Sequence, residues 1–198
     1  MRQHVSNVCY DALEMAGFKR FRKDAVEWDL ENGFRCWVGL NTSTVASHVE
    51  INPFVGLHVV PIEKLWTSLK VGDYPSKYDR GVATFAIHLG QLAPNDNAFR
   101  LDRDTNVLDE AKRLARLYLD IGLPYARRIA RYETLLPLLE ARAEILGGFP
   151  ERVASCLYLM GRRSESRDFV RGFLASHQGY FKGFAIPFLE KLEIERLP

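Results

Sequence analysis

Between Phe34 and Leu69 the chain reads FRCWVGLNTSTVASHVEINPFVGLHVVPIEKLWTSL, and at Pro61 its apolar residues change period from about two to about three and a half. Alternation belongs to a pleated strand, whose successive side chains point to opposite faces, and the longer period belongs to a helix. A small antiparallel sheet running into a helix is therefore expected, and the rest of the chain must be compatible with it.

Upstream, Val5, Val8, Cys9, Ala12, Leu13 and Ala16 recur at helical spacing, and Gly17 supplies a stop. Val26, Trp28 and Leu30 alternate with Glu27 and Asp29, which predicts a strand with one wet face. Asn32-Gly33 has the chemistry of a tight hairpin turn, so Phe34 to Asn41 is expected to return. The polar NTST predicts a second reversal, and Asn52-Pro53 predicts a break before a further strand over 54–60, because proline has no N–H to give to a ladder.

Ile62, Leu65, Trp66 and Leu69 then set a helix of about two turns, with Pro61 near its start and Glu63 in the first turn. Residues 71–80 (VGDYPSKYDR) read as a loop and 84–92 (TFAIHLGQL) as one more strand. Beyond them the pattern is helical, over about 108–121, 124–131, 133–146, 150–160, 164–176 and 184–195, punctuated by Gly122, Gly147-Gly148, Gly161 and Gly179. The segment SCLYLMGRRSESRDFVRGFLAS has the look of an αα-hairpin. The expected class is α+β: a small antiparallel meander sheet covered by helices in residues 1–93, a connector over 94–107, and an all-helical part over 108–198 packed on the first as one compact unit.

Composition narrows the function classes. The formal charge is +2 over 198 residues, so any positive field is local rather than global. Cys9, Cys36 and Cys156 are widely spaced among apolar neighbours, the pattern of buried free thiols rather than of a zinc or disulfide set. No export signal opens the sequence and no apolar run approaches the roughly 18 residues that span a bilayer. A cytoplasmic protein without a membrane partner is the expectation.

The order of a helix, a short meander containing INPFVG, the IEKLWTSL helix and a helical C-terminal part resembles that of uncharacterised bacterial domains of unknown function. Some members of that group resemble immunity proteins paired with bacterial toxins. The likeness covers most of residues 3–175, including GLPYARRIARYETLLPLLE, and brings no motif with an assigned chemical role.

Candidate chemistry is sparse. His48 and Glu50 share a strand face, and His58 is expected on a neighbouring strand, a set that a divalent metal would accept. His58 and Glu63 bracket Pro61 and form a second candidate, an acid–base pair. The chain has no GxSxG, GxxxxGK, GxGxxG, HExxH or CxxC. The strongest charge signal is Lys112, Arg113, Arg116, Arg127, Arg128 and Arg131, set against Asp120 alone. Lys112, Arg113 and Arg116 are expected on one flank of their helix, opposite Leu108, Ala111, Ala115 and Tyr118. Such a patch meets an acidic protein or phosphates, and nucleic acid is disfavoured because Tyr118 belongs to the opposite, apolar side and only Tyr125 accompanies the cations, too few for a stacking platform.

Arg162, Arg163, Arg167 and Arg171 are interspersed with acids and read as a solvated helix face. The C-terminal Tyr180, Phe181, Phe184, Phe188 and Leu192 pack internally or, failing that, form a homodimer contact. The function expected from the residues is thus a non-enzymatic interaction module with the basic 112–131 face or the 71–80 loop as contact surface, an unidentified protein partner and no cofactor. A small metal-dependent enzyme on His48, Glu50 and His58, and nucleic-acid binding through 112–131, are the competing readings.

Overall fold

The computed structural model describes residues 1–69, 82–95, 99–145 and 148–195, so the expected 71–80 loop lies outside the described residues. The fold is α+β, with an open antiparallel sheet packed by helices and a helical C-terminal part. Two units compose it, Met1–His58 with Phe85–Ala130, and Val59–Thr84 with Arg131–Pro198.

The first unit opens with α1 (Arg2–Met15) and continues into β1 (Lys19–Arg22), β2 (Ala25–Asp29), β3 (Phe34–Val45) and β4 (His48–Val59). After the break between units come β5 (Phe85–His88) and β6 (Phe99–Leu101). The sheet order is β1-β2-β3-β4-β5, with β6 also on β4, and every pairing with a defined register is antiparallel.

The hairpin between β2 and β3 closes where expected. Phe34 N–H donates to the Glu31 carbonyl at 2.9 Å, and Glu31, Asn32 and Gly33 all have positive φ. Asn and Gly tolerate that conformation best, and the Asp29 carboxylate steadies the added Glu31 by accepting its N–H at 2.8 Å.

Three expectations fail here for stated reasons. NTST is not a reversal: β3 runs through it to Val45, and the chain turns at Ala46, whose φ is +51°. Nor does Pro53 break the strand, because β4 passes through it as one twelve-residue element. Its ladder shows why this is tolerated. β6 is registered against Val49 to Ile51 and β5 against Phe54 to Leu57, so the missing N–H falls in the gap where the partner strand changes. The 94–107 connector, finally, contains β6.

β1 was not expected either. Its KRFR lacks apolar alternation, and it joins the sheet as a short strand with a register shift between Arg20 and Arg22.

Along β4 the odd positions Val49, Ile51, Pro53, Val55, Leu57 and Val59 are all buried, whereas His48, Glu50 and Phe54 are half-buried and Asn52 is exposed. Gly56 is required by close approach: a Cβ there would lie 1.8 Å from the Phe85 carbonyl oxygen of β5. The helical cover consists of α1, α3 (Val107–Leu117), a π-helical turn over Tyr118–Gly122 and α4 (Leu123–Ile129). α1 packs on α3 and on β1 to β3, and α4 packs on β3. Asn106 caps α3 by accepting from the N–H groups of Leu108 and Asp109. Two buried tyrosines tie this layer to the strands. Tyr10 donates its hydroxyl proton to the Asp24 carbonyl and accepts from Leu40 N–H at 3.1 Å, and Tyr118 donates to the Phe54 carbonyl at 3.0 Å.

The second unit contains α2 (Val60–Ser68), α5 (Tyr132–Glu140), α6 (Pro150–Leu159), α7 (Arg163–Ser176) and α8 (Gln178–Ile194). α6 is its axis, buried from Pro150 to Leu157 and in contact with the other four helices. The α6–α7 pair is the expected hairpin, pinned where the Ser166 hydroxyl donates to the Ala154 carbonyl at 2.8 Å. On α8, Phe181, Phe184, Phe188 and Leu192 are buried. Phe181 meets Phe173 of α7 edge-on with centroids 4.9 Å apart, so internal packing accounts for these four residues, whereas Tyr180 is 63% exposed.

Within this apolar unit lies a buried ion pair. Arg152 Nε is 2.9 Å from Glu63 Oε1, with side chains 4% and 1% exposed, and Arg152 also donates from its terminal nitrogen to Oε2 at 3.3 Å. Thr84 completes the set, donating its hydroxyl proton to Glu63 at 2.7 Å while accepting Val59 N–H at 2.8 Å. Two-point geometry with an added hydrogen bond compensates the loss of water. Removing one partner strands the other charge, so Glu63→Gln should lower unfolding free energy by about 3–5 kcal/mol in urea titrations. The double variant Glu63→Leu/Arg152→Met should lose less than the two single variants combined, since no lone charge remains buried.

Candidate functional site

His48 and Glu50 do meet, with Nε2 3.2 Å from Oε1, and Arg100 of β6 reaches the same carboxylate oxygen at 3.2 Å. His58 does not join them. It lies ten positions along the same strand, about 33 Å away at the rise of an extended chain, and is 3% exposed. The expectation that Pro53 would fold His58 onto a neighbouring strand fails because β4 is continuous. Among the described residues no three His, Cys, Asp or Glu side chains are placed to hold a metal ion. Glu63 is likewise unavailable as the partner of an acid–base pair, because Arg152 and Thr84 occupy both of its oxygens.

The basic residues separate into different environments. Arg113 is half-buried, with its guanidinium 4.0 Å from the centroid of the Phe99 ring and 2.7 Å from Glu110, so it braces α3 against β6. Arg127 and Arg128 are exposed on α4, the latter over the Tyr125 ring at 5.4 Å. Arg131 is exposed and begins the second stretch of the other unit. Lys112 and Arg116 are exposed on α3 and have no ion-pair partner among the described residues.

Those two cations border a feature that the charge pattern alone did not reveal. Ala12 and Met15 of α1, Ala16 just beyond it, and Leu108, Lys112, Ala115, Arg116 and Leu119 line a groove of about 200 Å³. Its floor is alanine, because α1 and α3 pack closely there. Leu108 is not opposite the cations, as expected, but on their own flank: positions 108, 112 and 116 recur one turn apart. It is 49% exposed, and Met15 is 86% exposed.

A wider polar hollow of about 710 Å³ lies at the start of α1, where Arg2, Lys23 and Asp24 face Ser6, Asn41 and Thr42. Arg2 Nε donates to the Thr42 hydroxyl at 3.2 Å. Its one carboxylate stands beside two cations without an imidazole or thiol to share a proton.

The three cysteines are buried and free. Burial pushes the thiols of Cys9, Cys36 and Cys156 up to about 12, the reverse of what a nucleophile needs. The second arginine group is a braced face. Arg162 pairs with Glu165, Arg163 with Glu195, and Arg171 with Glu193. Asp168 stands 3.5 Å from Arg167. No helix among the described residues is long and apolar enough to cross a membrane. No protein-family description, curated protein or solved structure matches this chain.

Two outcomes follow from these environments. Added zinc or manganese should leave the melting temperature of the dialysed protein unchanged, since a bound ion would raise it by mass action. A disulfide reagent at pH 8 should find no fast-reacting thiol in the native protein and three after denaturation. Stability owed to the neutral thiols is intact below their ordinary range near 9.0 and should decline as pH rises from there toward about 12, because the unfolded chain ionises first.

Proposed function

We propose that the chain is a protein-interaction module without catalytic activity of its own, and that its contact surface includes the exposed basic residues of α3 and α4. The observation that carries this reading is the pairing of two unneutralised cations, Lys112 and Arg116, with an apolar-floored groove. Cations on a solvated face are ordinary, and so is a shallow apolar furrow. Their coincidence supports a surface that gains from both charge and burial, as protein contacts do. Capping of a toxin by an immunity protein is one form of this reading and rests on the resemblance of element order alone.

Nucleic acid is the weaker reading, because none of the residues lining the groove is aromatic and a phosphate backbone gains nothing from alanine, leucine and methionine side chains. A small hydrolytic or metal-dependent activity has less support still, since no third ligand joins His48 and Glu50 among the described residues.

The test is affinity capture on the purified chain beside its Lys112→Glu/Arg116→Glu and Arg127→Glu/Arg128→Glu variants, at about 0.15 M salt where distant surface charge is screened. A protein retained by the native chain should be lost from one of the two variants while both keep the native melting temperature. An identical retained set on all three chains would remove this surface from consideration.

A further inference from the structure

We infer that the groove between α1 and α3 docks an acidic amphipathic helix of a protein partner, its apolar ridge seated over the alanine floor and its carboxylates on Lys112 and Arg116. This rests on the contact-surface reading above and names what that surface takes. Ala12, Ala16 and Ala115 leave a furrow along the seam of two packed helices, the shape into which the side-chain ridge of a third helix fits. Met15, 86% exposed, and Leu108, 49% exposed, border the same furrow. Both are apolar side chains facing water, and a flexible methionine adapts to an incoming side chain.

Charge selects the partner. Lys112 and Arg116 stand one helical turn apart, about 5–6 Å, the same interval as carboxylates at i and i+4 of an opposing helix. The nearby acids of α1 do not cancel them, because Arg20 holds Asp11 at 2.9 Å and Glu14 at 2.8 Å. Asp120, exposed one turn beyond Arg116, closes the cationic stretch and disfavours a carboxylate placed further along. A helix carrying apolar residues at i, i+3, i+4 and i+7, with glutamates beside them, satisfies floor and rim together.

The experiment uses the full chain and a fluorescein-labelled, end-blocked peptide of about 18 residues, long enough to hold a helix, with leucines on one stripe and glutamates flanking it. A permuted peptide of the same composition and a labelled single-stranded oligonucleotide are titrated in parallel by anisotropy. The patterned peptide should bind at least about tenfold more tightly than the permuted one, a difference of about 1.4 kcal/mol. Met15→Glu and Leu108→Glu, both at exposed positions, should each weaken it several-fold, and Lys112→Gln/Arg116→Gln should weaken it and flatten its salt dependence. Circular dichroism melts confirm that the variants are folded. Equal binding of patterned and permuted peptides, no binding of either, or indifference to Met15→Glu and Leu108→Glu would overturn the helix assignment and leave the contact-surface reading to the capture experiment. Preferential oligonucleotide binding that depends on Lys112 and Arg116 would overturn both.

Discussion

The alternation along β4 is the constraint from which the first unit is built. Its odd positions from Val49 to Val59 are buried without exception. Slipping the register by one residue would bury His48, Glu50 and Asn52 in their place. With that face fixed, β3 on one edge and β5 and β6 on the other inherit their inward residues. Ile87 opposite Val55 and Phe99 opposite Ile51 are buried because β4 is oriented as it is. The helical layer then has one surface to cover, and α1 and α3 meet while covering it.

The second unit solves a different problem. α6 is buried on all sides yet carries Glu151 and Arg152, residues that avoid interiors unless engaged. Arg152 pairs with Glu63, whose carboxylate Thr84 also holds, so the ion pair ties α2 to α6 at a defined position. For net stability alone, a well-packed apolar pair of similar volume would serve as well.

How much of this was legible follows from range. The β2–β3 hairpin could be read because both signals, alternation and Asn-Gly, are local. α3, α6 and α7 were legible for the same reason. Pro53 was misread because the rule against proline in a ladder is local, while its exemption depends on two strands that pair with β4 from separate later segments. β6 is three residues inside a polar stretch and offers no period at all. Glu63 looked like an ordinary first-turn anion, since its partners stand 21 and 89 positions away. The basic residues could be listed from the sequence, but the groove beside them could not, because its walls come from α1 and α3, which nothing in their separate patterns says will touch.

β1 carries a consequence for the behaviour of the molecule in solution. It is the terminal strand of the sheet order and has three cations in four residues, Lys19, Arg20 and Arg22. An unpaired sheet edge invites a second copy to extend the ladder into a larger assembly. Here a visiting strand would meet a margin rich in charged side chains, and the register shift between Arg20 and Arg22 interrupts a regular ladder. The same KRFR that hid the strand from a reading of hydrophobic pattern makes a poor template for such pairing.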